Sequence, residues 1–412
     1  MQTNLSESAR QLARSDEAES ILRSCVHCGF CNATCPTYQI TGDELDGPRG
    51  RIYLIKQLLE GEAAGKDTQE HLDRCLSCRN CETTCPSGVE YHSLLDIARP
   101  EAERQAPPRP AGNQLTRWGL RFIMTRPSLF HFLFRLGQFT RALLPAQLKS
   151  KVPAYIPPAR PYPKHFHQRQ VILLDGCVQP TLSPNTNAAT ARVLDRLNIT
   201  GCSADGVGCC GAVDYHLNAQ TEGLARAKRN IDSWIDELDA GAESIIPTAS
   251  GCGAFIKEYA HLLKDDPDYA AKARRVSEHT MDLSELLSRE QLDSIKLPQR
   301  QRIVFQCPCT LQHGQKLAGT TEELLTRIGF DLNPVQDSHL CCGSAGTYSI
   351  TQPELATQLR DNKLDNLERD RPIIIATANI GCQVHLNSAE RTPVRHWIEL
   401  IDDALTRKEP TR

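Results

Sequence analysis

The chain has 412 residues and a hydrophobic fraction of 40%, enough for two or three domains with sizeable cores. A formal net charge of −3 excludes a protein built as a whole to hold nucleic acid or another charged polymer. Its eighteen cysteines would suggest disulfides in a secreted chain, but eight sit in metal-cluster spacing and others in Cys-Cys-Gly triplets, so the expected compartment is a reducing one.

Residues 1–24 carry Glu7, Arg10, Arg14, Asp16, Glu17 and Glu19 and no continuous apolar run. This fits neither a secretion signal nor a membrane anchor and reads as a polar helix leading into a cysteine-rich loop. From Cys25 to Pro36 the sequence is CVHCGFCNATCP, and from Cys75 to Pro86 it is CLSCRNCETTCP. Both are C-x2-C-x2-C-x3-C-P, the ligand run of a two-cluster ferredoxin. Three thiolates at steps of three residues wrap one cubic cluster when a compact loop turns them inward, and the proline sends the fourth cysteine to the neighbouring cluster. The spacing therefore assigns Cys25, Cys28, Cys31 and Cys85 to one [4Fe–4S] cluster and Cys75, Cys78, Cys81 and Cys35 to a second. Structural zinc normally takes four ligands from two separated Cys/His pairs and has no use for a third step or for the proline.

Between the runs, the Gly47-Pro-Arg-Gly50 turn is followed by Ile52, Ile55, Leu58 and Leu59 at helical spacing, with Gly61 as a stop. The ferredoxin-type module is therefore expected to be helical and to occupy residues 1–100. Arg49 and Arg51 read as solvated helix charge.

Residues 101–170 form a basic, Pro-rich linker with twelve Arg/Lys against two Glu. Trp118, Leu120, Phe122, Ile123, Leu129, Phe130, Phe132, Leu133, Phe134 and Leu136 interleave there with Arg117, Arg121, Arg126, Arg135 and Arg141. No uninterrupted run reaches the ~18 apolar residues of a membrane-spanning helix. Such a segment suits an anionic membrane face, a partner subunit, or ordinary packing on a neighbouring domain.

The remaining chain is an internal duplication, with units at 171–290 and 300–405. Cys177, Cys209-Cys210-Gly211 and Cys252 answer to Cys307, Cys341-Cys342-Gly343 and Cys382, offset by about 130 residues. Buried strands are expected at 171–174, 245–246, 303–305 and 373–375, with helices at 187–198 and 320–328 giving a β-α-β rhythm. The cysteines then fall at the carboxyl ends of strands, where ligands collect in open α/β sheets.

Vicinal thiols strain if they pair with each other and do better sharing a metal centre. Cys177, Cys209, Cys210, Cys252, Cys307, Cys341, Cys342 and Cys382 are accordingly an additional candidate redox or metal site. Cys202 and Cys309 have no counterparts and read as buried structural thiols. His216 and His339 read as hydrogen-bonded neighbours rather than ligands. The literal G-x-G-x-x-G at Gly206 to Gly211 is not led into by a strand and has cysteines at its variable positions, so it is not a nucleotide fingerprint. With no catalytic triad or carboxylate pair either, the chain has no catalytic residues of its own and reads as an electron conduit.

With these residues in view, the chain resembles the family of bacterial glycolate oxidase (glycolate dehydrogenase) iron–sulfur subunits almost end to end. The resemblance lies in the two ferredoxin runs and in DELDGPRGRIY from Asp43, QPTLSPNTN from Gln179, GCCGAVDYH from Gly208 and SHLCCGSAG from Ser338. It implies a helical two-[4Fe–4S] domain before a duplicated α/β cysteine-rich domain. It also implies a complex in which separate FAD-bearing subunits oxidise glycolate to glyoxylate, and in some settings D-lactate to its own 2-oxo acid, while this subunit relays electrons towards a membrane quinone. The implied location is cytoplasmic, peripheral on the inner membrane. In related heterodisulfide-reductase units the last motif is C-x2-C; Ala249 and Asn379 stand where its first cysteine would be, which departs from a five-cysteine noncubane cluster. The runner-up reading is the equivalent subunit of an anaerobic glycerol-3-phosphate or lactate dehydrogenase; a zinc-stabilised assembly scaffold is the alternative of another class.

Overall fold

The computed structural model describes residues 1–143, 149, 151–297 and 299–406; the linker's 144–148 and 150 lie outside the described residues. Packing divides the chain into two compact units, one of 1–117 with 339–363 and one of 118–338 with 364–412. Residues 339–363, which the duplication places in the second cysteine-rich unit, thus pack with the N-terminal module.

The first unit is helical. Pro48 supplies the first turn of helix Pro48–Leu59 with a φ already suited to it. Ile52, Ile55, Leu58 and Leu59 then form one buried stripe. That stripe meets Ala18, Ile21 and Leu22 of helix Ser15–Ser24 and Leu94, Leu95, Ala98 and Ala102 of helix Tyr91–Gln105 in one core. The helix ends at Leu59, and Gly61 takes a φ of +104° just beyond. Arg51 lies on the inner side of this helix at 1% exposure. It is therefore not the solvated charge its residue type suggested, whereas Arg49 stays half-buried in an ion pair with Glu44.

The second unit holds two parallel sheets. β1 (Arg169–Leu174) lies between β2 (Ile199–Cys202) and β3 (Ile245–Pro247). β4 (Gln301–Gln306) likewise lies between β5 (Phe330–Asn333) and β6 (Ile375–Thr377), with β7 (Val394–His396) added at the edge. Registers match between copies: Arg169 faces Ile199 as Gln301 faces Phe330. Each parallel crossover needs a covering helix, supplied by Asn185–Asp195 in the first copy and Thr320–Ile328 in the second. Apolar residues of both copies, including Val171, Ile246, Phe305 and Trp397, share one core. The copies are also joined by a buried carboxylate, Glu399, which accepts from Ser183 (3.0 Å) and Thr186 (2.7 Å). The strand expected at 373–375 starts at Ile375 instead, and Ile373 is 90% exposed, because it belongs to the approach to the sheet.

Gly50 gives a test of the packing that surrounds the cysteine loops. A Cβ there would lie 2.1 Å from the Glu44 carbonyl oxygen. Helix propensity favours alanine by ~1 kcal/mol, but the overlap is with backbone, at the upper end of the ~1–3 kcal/mol of overpacking. Gly50→Ala is expected to destabilise by about 2 kcal/mol and to lower the melting temperature by about 4–8 °C. An unchanged or higher melting temperature would show that the Glu44 turn yields freely.

Candidate metal centres

The two C-x2-C-x2-C-x3-C-P runs fold alike. Each begins at the end of a helix, with Cys25 capping Ser15–Ser24 and Cys75 following Lys66–Asp73. Each then takes two left-handed residues, His27 and Gly29 in one and Ser77 and Arg79 in the other. A short helical turn comes next, Phe30–Ala33 or Asn80–Thr84, and the fourth cysteine is extended before its proline. The paired left-handed residues curl the first three cysteines about a common space. Gly29 is free to adopt its φ of +87°, and a Cβ there would meet Arg49 Nη1 at 2.5 Å.

Two concavities result. One, of about 430 Å³ and open to solvent, is lined by Cys25, Cys28, Cys31 and, from the other run, Cys85. The second, of about 370 Å³, is lined by Cys75, Cys78, Cys81 and, from the first run, Cys35. Cys81, Pro48 and Tyr91 line both. The eight cysteines read from the spacing thus line the two concavities, with the fourth cysteine of each run beside the first three of the other and Cys81 lining both.

These surroundings fit polynuclear clusters. Burial, reinforced by Cys25, pushes the Cys31 thiol up to about 11; desolvation and then Cys78 push Cys81 well above its ordinary value. Thiols so placed become thiolates only when a cationic centre compensates them. A zinc ion with Zn–S bonds of ~2.3 Å would draw its four sulfurs to ~3.8 Å of one another. Among the described residues no three cysteine sulfurs lie within 4.8 Å of each other.

Around the second concavity the polar lining is dense. Arg51 donates from Nε to the His71 carbonyl (2.8 Å) and from both terminal nitrogens to Thr37 Oγ1 (3.2 Å each), with Nη1 4.0 Å from Cys35 Sγ. Burial opposes this cation, but Cys75, Tyr91, Cys35 and Asp46 outweigh it and hold its pKa above the ordinary range. Asp46, fully buried, is met by His71 (2.8 Å), Arg74 (3.0 Å) and Arg51 (3.6 Å). Although Asp43, Asp46 and His71 bring ligand atoms together, these arginines make the group an ion-pair network. Arg99, also buried, donates to the carbonyls of Leu72 (2.8 Å) and Cys75 (2.9 Å). The Tyr91 hydroxyl is buried without a hydrogen-bond partner among the described residues.

In the first cysteine-rich copy, Cys177 follows β1, Cys209 and Cys210 follow β2, and Cys252 lies in helix Ser250–Lys257 after β3. Their sulfurs form a string. Cys209 sits between Cys177 and Cys210, and Cys210 also meets Cys252. Hydrogen bonds from the Cys177 and Cys210 thiols, with the Gly211 amide and Arg226, hold Cys209 well below the ordinary thiol range despite burial. The turn is fixed by Asn230, which accepts from the Gly208 amide (3.0 Å) and donates to the Cys209 carbonyl (3.1 Å), and by Tyr259, which donates to the Cys210 carbonyl (2.5 Å). Gly211 has a φ of +98°, and a Cβ would lie 2.4 Å from the Gly223 carbonyl oxygen.

The second copy is divided differently. Cys307 and Cys382 belong to the unit with the sheets, while Cys341 and Cys342 belong to the unit with the ferredoxin-type loops. In the latter unit Asn80 donates to the His339 carbonyl (3.2 Å) and Tyr348 to the Arg74 carbonyl (3.1 Å). Asn379 donates to Cys382 Sγ (3.6 Å) and accepts from the Gly251 amide (3.3 Å). The missing cysteine is thus replaced by an amide that partners both the remaining sulfur and the other copy. His216 packs its ring edge-on against Phe255. Cys202 donates to the Val171 carbonyl (3.2 Å) and Cys309 is buried.

Sequence reasoning missed Tyr91, Arg99, Asn230 and Tyr259. Arg99, Asn230 and Tyr259 act on backbone groups more than twenty residues away, and Tyr91 matters only where two cysteine loops meet, so no local spacing announces them.

Residues 21–89 match the family described as a 4Fe-4S dicluster domain, and residues 171–257 and 303–387 match the cysteine-rich domain family, twice. The chain is 60% identical over 408 residues to the glycolate oxidase iron-sulfur subunit of Escherichia coli K12, covering 99% of this chain and all of that protein. It is 32% identical to the probable glycolate oxidase iron-sulfur subunit of Bacillus subtilis, covering 90% and 89% respectively. Lactate utilization protein A of Bacillus velezensis is 28% identical over 53% of this chain. With end-to-end similarity joined to both domain families, the chain belongs to the glycolate oxidase iron–sulfur subunit family.

Proposed function

We propose that this chain is the electron-relay subunit of a glycolate-oxidising complex. The observation that supports the reading is the crossing of Cys85 into the first concavity and Cys35 into the second, an arrangement suited to two neighbouring [4Fe–4S] clusters. When bound, each cluster supplies a one-electron carrier. The protein's part is to hold eight thiolates, to exclude water with Pro48, Ile52 and Val89, and to offset the negative charge with buried guanidinium groups. Substrate oxidation falls to partner subunits bearing FAD, which convert glycolate to glyoxylate, and the electrons leave towards a membrane quinone. Lactate utilization protein A matches only about half the chain, which favours the glycolate reading over a lactate one.

Residues 111–143 are proposed to provide the membrane contact. On helix Ala111–Met124, Leu115, Trp118 and Phe122 recur at one helical face; on helix Pro127–Phe139, Phe132, Leu136 and Phe139 do the same, and all six are exposed. No acidic residue occurs from 104 to 174, so the surroundings suit an anionic lipid surface. No helix among the described residues is long and apolar enough to cross a membrane. The reading places the chain peripherally, on the cytoplasmic face of the inner membrane.

Anaerobically purified protein is expected to contain about eight irons and eight acid-labile sulfides per chain, with two interacting [4Fe–4S] signals on reduction. About twelve would add a centre at the Cys-Cys-Gly cysteines, and zinc in place of iron would sink the relay. Cys28→Ser or Cys78→Ser is expected to perturb one cluster and cut electron delivery to the physiological acceptor at least tenfold, while substrate still reduces the partner's flavin. Undiminished delivery in both variants would refute the role.

Vesicle co-sedimentation examines the lipid contact. The protein is expected to bind vesicles rich in phosphatidylglycerol better than neutral ones, and Phe132→Ser with Leu136→Ser to weaken binding by roughly tenfold or more, since each buried side chain contributes ~1.5–3 kcal/mol. Equal, weak binding to both vesicle types would assign the face to a partner subunit instead.

A further inference from the structure

The two concavities are alike in their thiols and unlike in their polar surroundings. The first is lined, apart from cysteines, mainly by apolar groups, with Ser87, Tyr91, exposed His27 and Arg49, whose charge is already shared with Glu44 at 2.6 Å. Around the second, two buried guanidinium groups approach from different helices. Arg51 comes from Pro48–Leu59 with Nη1 4.0 Å from Cys35 Sγ, and Arg99 comes from Tyr91–Gln105 to the carbonyl of Cys75 at 2.9 Å.

Tyr91 stands in the wall between the two spaces. Its hydroxyl is a buried donor that nothing among the described residues accepts, and such a group costs ~1–3 kcal/mol if it stays unsatisfied. A phenol kept at that cost in a wall made of cluster ligands needs an acceptor that arrives with the cluster. The groups that act on it electrostatically are Cys75, Arg51, Cys81 and Arg99; both cysteines belong to the second set. Thiolate and sulfide sulfurs accept hydrogen bonds, and donors or cations beside them stabilise the reduced, more negative state.

We propose that the Tyr91 hydroxyl donates a hydrogen bond to a sulfur of the cluster held by Cys35, Cys75, Cys78 and Cys81, and that with Arg51 and Arg99 it makes this cluster the more readily reduced of the two. This rests on the two-cluster reading. Tyr91, Arg51 and Arg99 are positioning residues that set a potential gradient across the pair. Electrons entering the relay settle on the second cluster.

The test is a redox titration of the intact protein followed by electron paramagnetic resonance. Cys28→Ser identifies the signal of the second cluster as the one it leaves unperturbed. In native protein that signal is expected to have the higher midpoint. Tyr91→Phe keeps the ring, and is expected to retain about eight irons while lowering this midpoint alone, so that at a fixed potential the reduced-to-oxidised ratio falls several-fold; tenfold corresponds to about 59 mV for a one-electron couple. Arg51→Gln is expected to shift the same signal in the same direction, and it decides the matter if Tyr91→Phe does not assemble. Full iron content with neither midpoint moved, or with only the first cluster's moved, overturns the proposal. Iron well below eight in the native protein would instead fault the two-cluster reading.

Discussion

The constraint on which the N-terminal unit depends is electrostatic: beside two neighbouring spaces lined by cysteines, the Cys31 and Cys81 thiols resist ionisation. Burial and the neighbouring cysteines raise Cys31 and Cys81 together. The helices that enclose the loops also deliver the counter-charge. Helix Pro48–Leu59 turns Ile52, Ile55 and Leu58 into the core and, on the same inward side, commits Arg51 to the second loop. A buried guanidinium is itself expensive unless paired and hydrogen-bonded. Thr37, the His71 carbonyl and Asp46 meet that need. The packing of the unit and the chemistry of its loops are therefore one arrangement: the helix that seals the core also places the cation.

The sheets solve a different problem. Parallel strands bring the ends of β1, β2 and β3 side by side, so residues about thirty and seventy-five positions apart become neighbours, and Cys177, Cys209, Cys210 and Cys252 meet there. Duplication repeats the strands in the same register, yet the two cysteine sets have not remained equivalent. In the first copy the string lies within one unit, braced by Asn230 and Tyr259. In the second, Asn379 occupies the site of a potential thiolate and spends its two hydrogen-bonding functions on Cys382 and Gly251. An amide in that position holds a sulfur in place but adds no negative charge to it.

Legibility in the sequence tracks the range of the interaction. Ligand spacing is local, and a proline after the fourth cysteine fixes its direction locally too, so the crossed sets are readable from the two runs alone. Strands at 171–174 and 303–305 are legible because their apolar runs are continuous. Ile373 misleads, since an isoleucine beside a buried strand has the same composition as one within it. Arg51 misleads more instructively. Its residue type says solvent, and its burial becomes intelligible only when Cys35, sixteen residues back, and His71, twenty residues on, close around it. Tyr91 is silent for the same reason: its ring is ordinary core material, and its hydroxyl matters only because two loops meet beside it.

The placement of residues 339–363 carries this one step further. The second Cys-Cys-Gly turn packs with the ferredoxin-type loops, tied by Asn80 to the His339 carbonyl and by Tyr348 to the Arg74 carbonyl. Burial, with Cys75 and Cys341 adding to it against Arg51, raises the Tyr348 phenol above its ordinary range, so this ring shares its surroundings with the second cysteine run and with the turn. Asn80 spans the same ground from the other side, donating to Thr34 in the first run as well as to His339. One side chain thus holds the first run, the second run and the second Cys-Cys-Gly turn in register. Arg51 lines the second concavity and not the first, where Cys28 is the exposed cysteine, while Tyr91 stands in the wall of both. The buried cation Arg51 and the second Cys-Cys-Gly turn thus share the surroundings of Cys75, an asymmetry that the two matching cysteine runs do not announce.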